Sequence, residues 1–267
     1  MRSLSIQEMR CIQIEILDDV DRFCRKNGIR YSLCGGSLLG AIRHRGYIPW
    51  DDDIDIMMPR LDYDRFILLY ESKDNYVLDF SNEEGYCETF VKICRKDTLV
   101  VDGLLNRAGF GVNIDLFPID GAPLKNPDRH VDDILMYKTK IAKYCPYYKR
   151  MTTRRGVWLV KYIAKRLLNV KFTPILRLKS ELCDALRKSH FEDSPLAGVI
   201  SGSYGHREVM DKSIFLSYTE ILFEGKLYFS IARYEEYLAS IYGDYMALPP
   251  IEERKNPHNY NAFVLND

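Results

Sequence analysis

An acidic run with isoleucines threaded through it, Asp51-Asp52-Asp53-Ile54-Asp55-Ile56, restricts the folds open to this chain more than any other stretch. In an extended strand side chains alternate faces, so Asp53 and Asp55 share one face while Ile54 and Ile56 turn to the other, into a core. Two carboxylates roughly 7 Å apart on a half-buried strand repel unless a cation neutralises them, and hard oxygen ligands of this kind suit Mg²⁺ or Mn²⁺. Asp51 is in phase with the pair and Asp52 is not. A calcium EF-hand fails on spacing, because a loop starting at Asp51 puts Ile56 at the sixth position, where Gly is required, and Asp62 rather than Glu at the twelfth.

Upstream, Ser5 caps a predicted helix in which Met9, Ile12, Ile16, Val20 and Phe23 recur at three- and four-residue steps until Asn27-Gly28 stops it. Ile29 to Cys34 reads as a strand. Gly35-Gly36-Ser37 is then a turn into a short helix, Leu38 to His44, whose free N–H groups point at an anion. The acidic strand runs from Asp53 to Met58, and a helix with Tyr63, Phe66, Ile67 and Tyr70 inward follows Pro59. Further strands are expected at Tyr76 to Phe80, Thr89 to Cys94, Thr98 to Val101 and Gly111 to Phe117. The last of these has Val112, Ile114 and Leu116 on one face and Asn113 and Asp115 on the other. After a Pro118 to Pro127 loop the pattern is helical to about His190, with breaks at Pro146 and Pro174. A late hairpin through Glu224-Gly225 leads to a helix capped by Ser230 and stopped at Gly243, then an extended tail folded back over the body.

The expected fold is α/β in the α+β sense: a mixed, antiparallel-rich sheet flanked by helices, with a helical insertion. Its divisions are a catalytic core over 1–126, a helical basic subdomain over 127–198, and a C-terminal hairpin, helix and tail over 199–267. Forty-six per cent hydrophobic and 28% charged residues describe an ordinary globular chain and exclude a disordered or fibrous one. Seven scattered cysteines, Cys11, Cys24, Cys34, Cys87, Cys94, Cys145 and Cys183, form no C-x-x-C pair, which argues against structural zinc and a disulfide framework. Glu8, Glu15, Asp18, Asp19 and Asp21 break any signal-peptide core, and no apolar run approaches the ~20 residues of a membrane span. A cytoplasmic location is expected.

Two long segments narrow the reading. Tyr31-Ser32-Leu33-Cys34-Gly35-Gly36-Ser37-Leu38-Leu39-Gly40-Ala41-Ile42-Arg43-His44 and Ile48-Pro49-Trp50-Asp51-Asp52-Asp53-Ile54-Asp55 resemble the core signature of the LicD family of phosphocholine and related phosphoryl-group transferases, within the nucleotidyltransferase-fold superfamily. Val91-Lys92-Ile93, Asn113 to Asp120, Phe223-Glu224-Gly225 and Tyr242 to Pro250 match as well, whereas about Pro127 to Gly198 carries no such match. The resemblance implies that Asp53 and Asp55 are paired metal ligands with Asp51 assisting. It makes Asp115 the third carboxylate, placed to help deprotonate an attacking hydroxyl, and has Gly35, Gly36 and Ser37 grip a diphosphate. Arg43, His44 and Lys92 are candidate donors to phosphate oxygens; for Arg43 and Lys92 an ordinary surface charge, and for His44 a helix-end cap, are the alternatives.

The implied reaction carries a phosphorylated alcohol, phosphocholine above all, from a CDP-linked donor such as CDP-choline to a sugar hydroxyl of a bacterial surface glycan, with Mg²⁺ or Mn²⁺ and release of CMP. The acceptor is a glycan or lipid-linked sugar of teichoic acid, lipopolysaccharide or capsule. Two rivals remain: a nucleotidyltransferase releasing pyrophosphate, and a non-catalytic membrane-associated scaffold. The scaffold rests on the segment Lys149 to Lys171, where eight basic residues surround Val157-Trp158-Leu159-Val160 and no acid occurs between Ile134 and Ser180. Such a segment either lies peripherally on the inner face of the plasma membrane or packs as a cationic helix. No nucleic-acid reader motif is present. Trp50 beside the acids either shields a metal, stacks on a base or simply packs, and His258 is either a site residue or structural.

Overall fold

The computed structural model describes residues 1–82, 86, 88–102, 107–144, 175–256 and 260–265. Cys87, Cys145, Pro146, the basic segment 149–171, Pro174 and His258 lie outside the described residues.

Helix α1 (Ile6–Asn27) begins at Ser5, whose side chain takes the Glu8 N–H while the Glu8 carboxylate takes the Ser5 N–H, a reciprocal capping box; left-handed Gly28, φ 60°, ends it. Its Ile16, Leu17 and Val20 are fully buried. Strand β2 (Ser32–Leu33) is far shorter than the expected Ile29 to Cys34. Helix α2 (Gly35–His44) starts three residues earlier than expected, because Leu38 N–H already reaches the Cys34 carbonyl at 3.1 Å. The Gly-Gly-Ser segment is thus the first turn of the helix rather than a separate bend. Strand β3 (Asp55–Pro59) starts two residues later than Asp53, so Asp53 belongs to the entering loop.

Helix α3 (Arg60–Leu69) follows with Tyr63 and Phe66 buried, as its spacing requires. Strands β4 (Asn75–Leu78), β5 (Val91–Arg95) and β6 (Thr98–Asp102) fall near their expected places. Strand β8 (Asn113–Ala122) runs through Pro118 instead of ending at Phe117. Parallel pairing with β3 on one edge and antiparallel pairing with β5 and then β9 (Leu196–Gly198) on the other keep it extended.

A seven-stranded sheet therefore centres on β8, in the order β10-β9-β8-β3-β2 with β5 and β4 on the β8 edge, β10 being Met210–Asp211. Only the β3–β8 pair among its described pairings is parallel, so the sheet is mixed and antiparallel-rich. A second, four-stranded sheet was not foreseen: β1 (Arg2–Ser3), β13 (Tyr260–Val264), β6 and β7 (Arg107–Phe110) join in that order. The hairpin β11 (Tyr218–Phe223) and β12 (Lys226–Ile231) turns at Glu224-Gly225. Ser230 is buried within β12 and caps nothing; Arg233 precedes the last helix, α6 (Tyr234–Tyr242), which stops at Gly243.

The main core gathers α1, α2, α3, the large sheet, the hairpin and α6. A second buried cluster joins α4 (Pro127–Tyr144) and α5 (Ile175–Arg187) through Val131, Ile134, Ile141, Leu178, Leu182 and Leu186 to Ala122 at the end of β8. Among the described residues, no helix is long and apolar enough to cross a membrane.

Candidate active site

The acidic groups meet because of strand register. In the parallel β3–β8 pair Asp55 lies directly opposite Asp115, and on the other side of β8 Lys92 of β5 lies opposite Asp115. The Asp115 N–H binds the Ile54 carbonyl at 2.8 Å, which locks the entry of the acidic run to β8. Ile114 and Leu116 are fully buried, leaving Asn113 and Asp115 half-buried on the opposite face.

Burial holds the Asp55 carboxyl well above the usual carboxylate range; Asp53, Asp115 and Asp51 push it further in that direction and Lys92 opposes them. Those four carboxylates are therefore electrostatic neighbours. Lys92 Nζ meets Asp115 Oδ1 at 2.5 Å, and only 5% of Lys92 is exposed. Burial alone would lower Lys92; Asp115 and Tyr260 outweigh it and keep the ammonium above the ordinary lysine range. Lys92 is thus a counter-charge for the acids rather than a surface charge.

The start of α2 faces this group. Ser37 Oγ accepts the Asp55 N–H at 2.8 Å, tying helix to strand, and Cys34 N–H binds the Asp55 carbonyl at 3.0 Å. A Cβ on Gly35, φ +51°, would stand 3.3 Å from Asp55 Oδ2, and one on Gly36 would stand 2.9 Å from Asp51 Oδ2. The two glycines therefore leave a cradle between the helix N-terminus and the carboxylates. Hard oxygen donors beside a bare helix start have the chemistry that suits Mg²⁺ with bound phosphate. Among the described residues, however, no three His, Cys, Asp or Glu side chains close on a common point as a complete metal-binding set would.

The remaining candidates divide. Asp52 is buried and structural: it accepts from Asn256 Nδ2 at 2.9 Å, and its carbonyl accepts from Gln13 Nε2 at 2.8 Å. Arg43 Nη1 donates to the Tyr245 and Ala247 carbonyls, both at 3.1 Å, and its Nε to His44 Nε2 at 3.0 Å. Arg43 and His44 stand at the far end of α2 from the glycines. Asp120, at the end of the Asn113 to Asp120 segment, is buried in a two-pronged pair with Arg60 at 2.7 and 2.6 Å, which ties α3 to β8.

Several supporting residues escaped the sequence reading. Arg10 and Gln13 of α1 hold the acidic loop: Arg10 reaches the Ile48, Pro49 and Asp51 carbonyls, and Gln13 bridges Asp52, Asn113 and the Tyr47 hydroxyl. Gln13 had a legible signal, a polar side chain four residues from both Met9 and Leu17 on the inner stripe of α1. Glu224 in the hairpin turn accepts the Tyr47 N–H at 3.0 Å and so braces the same loop from the other side. Met9, Val100, Val112 and Tyr260 line a cleft against Asp53, Asp115 and Lys92.

Residues 28–140 match the family described as LicD/FKTN/FKRP, nucleotidyltransferase domain, so the match takes in α2, the acidic run and β8 together. The chain is similar along 99% of its length to the whole of the lipopolysaccharide cholinephosphotransferase LicD of Haemophilus influenzae, at 29% identity over 272 residues. It is also similar to the human and mouse ribitol 5-phosphate transferases FKRP, at 66% identity over 29 residues, which is 11% of this chain and 6% of each of those proteins.

Proposed function

We propose that this chain, which belongs to the LicD family, is a transferase that moves phosphocholine onto a hydroxyl of a cell-surface glycan. The reading goes further in naming a CDP-linked donor, CDP-choline first, a lipopolysaccharide, teichoic acid or capsule precursor as acceptor, and Mg²⁺ or Mn²⁺ as cofactor. The observation that carries it is the register of β3 and β8, which sets Asp55 opposite Asp115 beside the glycine-lined start of α2.

In this reading the α2 N-terminus, with Gly35, Gly36 and Ser37, receives the donor diphosphate. The acceptor oxygen forms a bond to the phosphorus bearing the alcohol as the bond from that phosphorus to the CMP oxygen breaks. The hydroxyl proton passes to the Asp115 carboxylate, at the oxygen not engaged by Lys92. Lys92 orients that carboxylate and limits the repulsion among the four acids. Asp53 and Asp55, with Asp51 assisting, would hold the metal, which when bound neutralises charge on the diphosphate and the leaving CMP.

The test is incubation with a panel of CDP-alcohols and Mg²⁺, with and without a lipid-linked sugar, while nucleotide products are separated. CMP release that depends on Mg²⁺, is greatest with CDP-choline and is stimulated by acceptor supports the proposal. Release of pyrophosphate from a nucleoside triphosphate, with the CDP-alcohols untouched, would replace it with nucleotidyl transfer.

A further inference from the structure

Among the described residues neither Arg43, at the far end of α2, nor Arg254, in the tail, forms an ion pair with an acid, although most arginines that make side-chain contacts pair with a carboxylate. Arg43 is spent on the Tyr245 and Ala247 carbonyls and on His44, and Arg254 Nε donates to the Pro249 carbonyl at 2.9 Å. Both therefore brace the same turn, from opposite ends. The Arg254 guanidinium lies 5.5 Å from the centre of the Trp50 ring, and His44 meets that ring edge-on at 6.3 Å between centres. Arg43, His44, Trp50 and Arg254 thus form one continuous string.

The charges in this string repel. Burial depresses Arg43, and Arg254 depresses it further; burial likewise lowers His44, with Arg43 adding to the effect. Glu252 and Glu253 are adjacent in sequence, yet neither forms an ion pair with either guanidinium among the described residues. Like-charged guanidiniums anchored through backbone carbonyls, with donor groups remaining on each fork, are a preorganised receptor for an oxyanion. Trp50 precedes Asp51, so the string adjoins the acidic run; Arg43 is seven residues along α2 from Gly36, about 10 Å by helical rise. A phosphate held there is distinct from one held at the helix start.

We infer that Arg43 and Arg254, positioned by Trp50 and the turn from Tyr245 to Pro249, form a second phosphate-binding site at the rim of the active site. The site stands on this geometry alone; which substrate supplies the phosphate rests on the transfer reaction proposed above. Its sources are the nucleotide phosphate of the donor and the diphosphate of a lipid-linked acceptor.

Calorimetric titration of the full chain with inorganic pyrophosphate, in EDTA so that no divalent ion contributes, reads the site directly. Arg254→Gln should weaken binding at least about tenfold, and Arg254→Lys, which keeps the charge but loses the fork, should recover part of it. Equal binding by wild type and Arg254→Gln, or a lysine variant as weak as the glutamine one, would overturn the inference. In turnover assays, a raised KM of Arg254→Gln for the CDP donor assigns the site to the donor, and a raised KM for the acceptor assigns it to the acceptor; neither rising contradicts the proposal. The titration needs no turnover, so absence of CMP release would remove the transfer reading and leave this site standing.

Discussion

Lys92 and Asp115 form a buried ion pair in the site, their side chains only 6% and 13% exposed, and both act on the Asp55 carboxyl. Removing one partner of a buried pair leaves an uncompensated charge, at about 3–5 kcal/mol. Lys92→Met should therefore lower denaturant stability by about that amount and abolish turnover, whereas a surface lysine would leave both unchanged. Glu208 offers a pH test away from the acids. Burial raises its carboxyl to about 8 from 4.5, against Lys138 and Arg207, and its Oε2 is buried with no hydrogen-bond partner among the described residues. Between those values the unfolded chain has released the proton that the folded chain keeps, so stability falls as pH rises from 5 to 8 and levels beyond it. Urea unfolding of wild type should show this fall, by up to a few kcal/mol, and Glu208→Gln should show a shallower one, because the share carried by Glu208 is gone while that of Asp55 remains. Alternation with isoleucine made the buried Ile54 and Ile56 legible, but it put Asp53 on the strand, whereas β3 begins only at Asp55 and Asp53 lies in the loop before it. The partners of Arg43 and Lys92, two backbone carbonyls and Asp115, were not legible in the sequence because they lie on segments distant in the chain.

Among the elements, α2 must approach the loop behind it closely. A Cβ on Gly40 would stand 2.4 Å from the Gly46 carbonyl oxygen and 3.1 Å from the Ile48 nitrogen, both backbone atoms that cannot swing aside. Gly40→Ala should cost about 1–3 kcal/mol in thermal or denaturant unfolding. It should also reduce turnover, because the displaced loop leads straight into Asp51 and Asp53. Wild-type activity in this variant would show that the loop does not position the acids. Helices α1, α3 and α6 were legible because their inward residues repeat at helical spacing, with Ser5 and Gly28 bounding α1, Pro59 preceding α3 and Gly243 stopping α6. Strand β2 was over-read because only Ser32 and Leu33 pair with β3; Ser32 Oγ instead accepts the Ile231 N–H of the hairpin at 2.9 Å. Strands β1 and β13 were missed since nothing local marks a two-residue strand or a tail whose partners lie more than 150 residues away.

Across the whole molecule, the chain's two ends close on the middle. Strand β13 pairs with β1 and β6, and Asn256 returns to Asp52, so the tail, expected to be extended and folded back over the body, is built into the second sheet and into the back of the acidic loop. The acids are consequently held from three sides: by α1 through Arg10 and Gln13, by the hairpin through Glu224, and by the tail through Asn256. This enclosure, together with the Lys92 ammonium, explains how repelling carboxylates remain together in a folded protein. It also means that an acid can be neutralised without loss of the scaffold, since the loop's hydrogen bonds run mainly through backbone atoms. The most direct measurement is CMP release from CDP-choline with Mg²⁺ by Asp53→Asn, alongside its thermal melting. If Asp53 holds the metal, turnover falls at least about 100-fold with an unchanged fold; wild-type turnover by a folded Asp53→Asn would contradict that role.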